Sequence, residues 1–213
     1  MFPTYTRAER AADAAVHLAG VFFGLAGAAV LMFASLGRLP VRDVAGLGIY
    51  SAGLIGMFTA SASYNLIHRP TLKEWLRRID HAGIFVMIAG SYTPFALKIG
   101  GETGLWLLCG VWAIAIFGVV AKLAFPRRLY RISVALYLAQ GWCILFAIGP
   151  LVDAIPPAST NLLIIGGVIY SAGVIFHLLE RMPFHNVIWH VFVLGGAIAQ
   201  YASIYGAVIA APR

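Results

Sequence analysis

Asp80 and His81 stand at the start of a long apolar run, within the stretch RRIDHAGIFVMIAGSYTP at 77–94. Ionisable side chains at the edge of a membrane span are costly unless they are paired, so they indicate a functional site. A carboxylate there could hold or relay a proton, and together with imidazoles it could bind zinc or a similar ion. A simpler interpretation makes Asp80 one half of a weak interfacial ion pair with Arg77 or Arg78. Neighbouring residues on a helix point about 100° apart, so His81 is expected to lie at the interface rather than to contact Asp80.

Helical spacing adds further polar residues to this candidate site. Ser61 and Asn65 are four residues apart, as are Asn186 and His190, so each pair shares one face of a helix. We expect the two pairs to face each other beneath Asp80.

The amino-acid composition indicates what kind of secondary structure carries these residues. Of the 213 residues, 61% are hydrophobic and 11% are charged, whereas a soluble domain has roughly 25% charged residues. The strands of a membrane barrel would alternate polar and apolar residues, but the apolar runs here are continuous. The fold class is therefore predicted to be an all-α integral membrane protein.

Seven apolar runs are long enough to cross a bilayer as helices, which takes roughly 20 residues each. They predict a single seven-helix transmembrane domain over 1–213, with Pro94 bending or ending the third helix. The predicted helices cover 14–36, 44–67, 80–97, 104–124, 132–152, 160–180 and 187–210. Because the first run is too long for a cleaved signal, we interpret it as a membrane helix. The 2 cysteines lie inside apolar runs and indicate no disulfide framework.

The basic residues predict the orientation in the membrane. The formal net charge is +7, but the basic residues occur in short clusters between apolar runs, which is typical of loops and not of a nucleic-acid interface. With a cytoplasmic N-terminus and an external C-terminus, eleven of the 15 Lys and Arg residues lie inside. We therefore expect a multi-pass membrane protein in this orientation. All six histidines then fall in the cytoplasmic half: His17, His68, His81, His177, His185 and His190.

Three motifs of the chain resemble the haemolysin III family, the bacterial branch of the progestin and adiponectin receptor proteins. They are SASYN at 61–65, the stretch at 77–94 and HNVIWHVFVLGGA at 185–197, within a resemblance that covers about 10–208. The resemblance implies a multi-pass protein of the bacterial inner membrane with seven transmembrane helices, a cytoplasmic N-terminus and a zinc site near the cytoplasmic face. It implies one zinc histidine in an SxxxH motif of helix 2 and two in an HxxxH motif of helix 7, with an aspartate and a serine nearby. That arrangement is similar to alkaline ceramidases, in which zinc activates water to attack an amide.

The chain departs from this family pattern at two of the three ligand positions. Asn65 stands at the helix 2 position and Asn186 at the first helix 7 position, so only His190 is retained. Neutral amide oxygens are poorer zinc ligands than imidazole.

Three outcomes follow for the metal. His185 and His68, each next to a replaced position, would supply rearranged ligands if the helix ends unwind. Alternatively, Asp80, His190 and the two asparagine oxygens would hold a metal more weakly. In the third outcome the residues form a hydrogen-bonded polar plug without a metal.

Three functions remain open at this point, and in each the expected partners are membrane lipids. The first is a regulator or sensor of membrane lipid state. The second is a metal-dependent hydrolase of a lipid amide or ester, with Asp80 relaying a proton, Ser61 orienting water and His190 binding metal. The third is a pore-forming haemolysin, which would need a polar lining that the apolar helices do not provide.

Overall fold

The computed structural model describes residues 5–124 and 130–210, and within these ranges the chain is helical without strands. Seven helical segments of the described chain are long and apolar enough to cross a membrane, which confirms the predicted all-α fold with seven spans. The α-helices are α1 (Arg7–Ser35), α2 (Val41–Leu66), α3 (Pro70–Ile99), α4 (Gly101–Ala124), α5 (Tyr130–Gly141), α6 (Ile148–Ala154), α7 (Pro157–Leu178) and α8 (His185–Ile204). A 3₁₀ segment, Cys143–Ala147, joins α5 to α6 into one span, and a π-helical turn, Tyr205–Ile209, extends α8.

The helices pack as a ring in which the first and last are neighbours. α1 lies against α2 and α8, α2 against α3, α3 against α4, and α7 against α8. Tyr50, Phe85 and Phe95 are fully buried in the centre. Large apolar side chains such as Phe33 and Phe146 point outward, as expected for surfaces that face lipid.

The third helix differs from its predicted bounds of 80–97. It begins at Pro70, because proline suits the first turn of a helix, where its missing N–H has no partner in any case. It also continues through Pro94 to Ile99, since a buried proline is tolerated in a membrane helix that is packed against its neighbours. The helix ends at Gly100, which with Gly101 forms a tight turn at positive φ. The predicted basic loop around 127–128 lies outside the described residues.

The fifth span, predicted as one continuous helix over 132–152, is broken after Gly141. The Tyr92 hydroxyl of α3 donates to the Gly141 carbonyl at 2.6 Å and accepts from the Ile144 N–H at 2.9 Å. Backbone groups inside a membrane must be bonded within the protein. The break is therefore stabilised by a side chain of another helix, which an apolar sequence pattern does not reveal.

Tyr92→Phe should destabilise the protein because it leaves both backbone groups of the break without a partner. Each unsatisfied buried group costs about 1–3 kcal/mol, so we expect a loss of about 2 kcal/mol or more. In detergent this corresponds to a Tm lower by about 5 °C. Tyr205→Phe is the matched control, because no hydrogen bond of the Tyr205 hydroxyl is found in the described part of the chain. Equal Tm values for the two variants would contradict the proposed role of Tyr92.

Candidate metal centre and adjoining cavities

Three buried side chains with metal-ligating atoms meet between α1 and α8. The carboxylate of Asp13 and the imidazoles of His17 and His190 bring one ligand atom each within 4.8 Å of the others. Asp13 Oδ1 lies 2.7 Å from His190 Nδ1, and the two imidazole ring centroids are 4.3 Å apart. We call these three residues the Asp–His–His cluster.

The start of α1 is fixed in place, and this positions the two cluster residues that it carries. Asp13 and His17 are one helical turn apart and so lie on the same face. Upstream, Thr6 and Glu9 form a capping box, in which the Glu9 N–H donates to Thr6 Oγ1 at 3.2 Å and Glu9 Oε2 accepts from the Thr6 N–H at 2.8 Å. The other oxygen of Glu9 accepts from the Phe184 N–H at 2.9 Å, immediately before α8 begins. Glu9 thereby ties the start of α1 to the start of α8, the helix that carries His190.

Asn65 and Asn186, which stand where the resemblance implies histidines, lie next to the cluster. Asn186 Nδ2 donates to Asp13 Oδ1 at 3.3 Å and to Asn65 Oδ1 at 3.4 Å. Asn65 Nδ2 in turn donates to the Ser61 carbonyl at 2.9 Å. In this structure Asn186 therefore orients the Asp13 carboxylate, and Asn65 supports Asn186.

Asp80 pairs with His81 in the described chain, and not with Arg77 or Arg78, which were the partners in the simpler interpretation. Arg77 Nη2 donates to Glu74 Oε1 at 2.7 Å instead. His81 Nδ1 lies 3.4 Å from Asp80 Oδ2 and 2.8 Å from the Arg77 carbonyl oxygen. The expectation that His81 would not contact Asp80 is wrong, because its ring folds back onto the preceding helical turn and reaches the carboxylate from there.

A cavity of about 180 Å³ lies between α3, α5, α7 and α8. We call it the apolar cavity, since side chains such as Met87, Ile88 and Val193 make up most of its wall. Asp80 and His190 both line it, together with Ser61. The structure therefore brings these three predicted site residues to one cavity.

A second cavity, of about 310 Å³, lies on the other side of the cluster, and we call it the polar cavity. Asp13, Asn65, Asn186 and His68 line it together with Tyr5. Burial, with the nearby carboxylates adding to it, raises the pKa of the Tyr5 phenol to about 12. Tyr5 is therefore a neutral hydrogen-bonding group at physiological pH.

His68 and His185, the predicted rearranged ligands, lie outside the Asp–His–His cluster. α2 is helical to Leu66, and α8 is helical from His185 itself, so the unwinding that the prediction required is not seen at either end. His68 is exposed, with Nδ1 2.9 Å from the Leu66 carbonyl oxygen. His185 is buried beside Tyr5, with ring centroids 6.0 Å apart.

The donor set of the cluster fits a metal ion of the zinc class. One carboxylate and two imidazoles are common protein ligands of a zinc site that leaves one position for water or substrate. His17 Nε2 is buried and makes no hydrogen bond to any described residue, although it lies 3.3 Å from Asp13 Oδ2. Buried polar atoms normally have a partner, and an ion held by the three side chains would give His17 one.

Comparison with known proteins identifies the family. Residues 7–201 match the family described as Haemolysin-III related. The chain belongs to the haemolysin III family. A protein named "Hemolysin-3 homolog" from Bacillus subtilis (strain 168) is 35% identical over 198 residues, which cover 92% of this chain and 93% of the relative.

Two further relatives of this haemolysin III chain span different evolutionary distances. "Hemolysin-3" from Bacillus cereus is 34% identical over 194 residues, covering 91% of this chain and 89% of the relative. The human "Monocyte to macrophage differentiation factor" is 25% identical over 164 residues, covering 74% of this chain and 68% of the relative.

Sequence reasoning assigned only one of the three cluster residues, His190, as a metal ligand in this haemolysin III chain. His17 was counted only as one of six histidines on one side, and Asp13 was left out because the first helix was predicted to start at residue 14. In the structure α1 begins at Arg7, so Asp13 is helical and shares a face with His17. A carboxylate four residues before a histidine at the start of an apolar run was the available signal.

Proposed function

We propose that this haemolysin III protein binds a divalent metal ion of the zinc class at Asp13, His17 and His190. We further propose that it holds a membrane lipid in the adjoining apolar cavity and regulates or senses membrane lipid state. One observation carries the proposal: His190 belongs to the cluster and also lines the apolar cavity. A molecule in that cavity would therefore contact a side chain of the metal centre.

The shape of the apolar cavity supports a lipid chain as its occupant. Its wall follows α3 from Asp80 to Phe95, which at a rise of about 1.5 Å per residue is about 22 Å. The hydrocarbon core of a bilayer is about 30 Å thick, so one leaflet offers about 15 Å. A cavity of that length with mostly apolar walls suits one extended acyl chain, with its polar end near Asp80 and Ser61.

The orientation belongs to the same proposal. Nine of the 12 Lys and Arg residues of the described chain lie at the start of α1, in the α2–α3 connection and the first half of α3, at the end of α4, at the start of α5 or just after α7. This distribution favours a cytoplasmic N-terminus. The cluster would then lie in the cytoplasmic half of the inner membrane. Lipids of the inner leaflet would be nearest to the apolar cavity.

Deleting the protein should change the acyl composition or the fluidity of the host membrane, and the wild-type protein should restore it. An Asp80→Asn variant should fold but fail to restore it, because the change removes the charge at the polar end of the apolar cavity. The measurement is lipid mass spectrometry together with the anisotropy of a membrane probe. Asp43→Asn is the matched control, since Asp43 pairs with Lys98 at 3.5 Å and does not line the apolar cavity. Unchanged lipids in the deletion strain would contradict the regulatory function.

Metal-dependent hydrolysis of a lipid amide or ester is the second candidate, favoured by the placement of Asp80 and Ser61 beside His190 in one cavity. A metal ion bound at the cluster would supply Lewis-acid chemistry and a water nucleophile at neutral pH. Asp80, with His81 at 3.4 Å, would take up the proton of the attacking water. The Ser61 hydroxyl would donate to the developing oxyanion. Release of fatty acid from a lipid amide or ester by the purified protein, lost in Asp80→Asn, distinguishes turnover from sensing.

A further inference from the structure

Lys122 is a buried cation that neither proposed function uses. It lies in the last turn of α4, is 3% exposed, and lines the apolar cavity near His81 and Tyr137. Among the described residues its ammonium group has neither a hydrogen bond nor an ion pair. Taking an ammonium out of water costs several kcal/mol unless a partner compensates it, so this position favours an anion.

The charges around Lys122 do not supply that anion. Arg77 is a charged neighbour of Lys122 and has the same sign. Arg78 lies on the same side and donates from Nη1 to the Leu123 carbonyl at 3.1 Å. The nearby carboxylate, Glu74, is bonded to Arg77 at 2.7 Å. This corner, between the start of α3 and the end of α4, is therefore positive.

Asp80 lines the same cavity but leaves the Lys122 ammonium unpaired. No ion pair joins the two in the described chain, and the Asp80 carboxylate instead lies 3.4 Å from His81 Nδ1. Lys122 therefore contributes a cation without a described partner to the wall of a cavity that is otherwise mostly apolar. A ligand that suits both this cation and the apolar wall has one negative end and one long apolar chain.

We propose that Lys122 binds the carboxylate or phosphate of a single-chain anionic lipid whose chain occupies the apolar cavity. This inference rests on the proposed lipid-binding function and names the chemical class of the ligand. Lys122 donates charge-assisted hydrogen bonds to the anionic oxygens, which removes the cost of its burial. The anionic end lies at the α3–α4 corner, and the chain runs along α3 past Ile88 toward Phe95.

The proposed lipid site can be tested by competition: four probes are compared for their ability to displace a fluorescent fatty acid from the purified, detergent-solubilised protein. Palmitate and lysophosphatidate carry a chain and an anion, hexadecanol carries the chain alone, and inorganic phosphate carries the anion alone. Both long-chain anions should bind, and hexadecanol should bind at least about tenfold more weakly, because it lacks the charged partner of Lys122. Phosphate alone should not compete, since the chain provides the apolar burial. Competition by phosphate at the concentration of palmitate would overturn the lipid part of the proposal.

Variants of Lys122 test its role in binding the anion separately from the proposed lipid-binding function. Lys122→Met should lower palmitate affinity at least about tenfold and leave hexadecanol binding unchanged, whereas Lys122→Arg should retain most of the affinity. Lys98→Met is the matched control, a lysine that pairs with Asp43 and does not line the cavity. Equal palmitate affinity in the wild type and in a folded Lys122→Met variant would overturn the role of Lys122 but not the lipid-binding function. Failure of every long-chain probe to bind overturns both the inference and the lipid function.

Discussion

His190→Ala should abolish stoichiometric metal binding, whereas the purified wild-type protein should hold about one zinc-class ion per chain. His190 is one of the three cluster residues, and its Nδ1 lies 2.7 Å from Asp13 Oδ1. Loss of a residue that merely orients a ligand weakens metal affinity about 10–100-fold, so loss of a ligand itself should cost more than about 100-fold. Elemental analysis of the detergent-purified proteins measures the content, and X-ray absorption identifies the ligand atoms.

His68→Ala is the control for this experiment. His68 is exposed, it lines the polar cavity, and it lies outside the cluster, so its removal should leave the metal content unchanged. Metal-free wild-type protein, prepared with zinc present throughout, would contradict the metal centre. Loss of metal in His68→Ala but not in His190→Ala would instead favour the rearranged ligand set.

Gly104→Ala should destabilise the protein by about 3 kcal/mol, toward the upper end of the cost of overpacking. A Cβ at residue 104 would overlap the carbonyl oxygen of Ala96, which belongs to the backbone of α3. Backbone atoms cannot turn aside as a flexible side chain can, so α3 and α4 would have to separate near their glycine turn. We expect a Tm lower by about 6–12 °C and a lower yield of folded protein.

Gly110→Ala provides a control on the same helix. A Cβ at residue 110 meets nothing within 4 Å, and alanine favours a helix over glycine by about 1 kcal/mol. This variant should therefore be as stable as the wild type or slightly more stable. Equal destabilisation of the two variants would contradict the close approach of α3 and α4 at Gly104.

The parts of the fold that depend on local composition could be predicted from the sequence. Apolar runs of sufficient length predict spans because the bilayer sets the length of a helix, and seven were found. The break after Gly141 could not be predicted, because the Tyr92 hydroxyl that stabilises it comes from another helix.

The candidate site was predictable only in part, because its residues come from helices that are far apart in the sequence. Helical spacing paired Asn186 with His190, but it could not show that Asp13, more than 170 residues away in the sequence, would accept hydrogen bonds from both. The first helix was predicted to start at residue 14, one residue after Asp13, so Asp13 was not placed on a helical face with His17. Element ends are the least certain part of any sequence-based prediction, and this site lies at the ends of elements.

The closure of the ring by α1 and α8 has a consequence for biogenesis. Asp13 and His17 leave the ribosome with the first of the seven described spans, whereas His190 follows only when the seventh span emerges. Until then the carboxylate and imidazole of the first span have no partner across the bundle. The Asp–His–His cluster can therefore assemble only after the seventh span has been synthesised and has inserted beside the first.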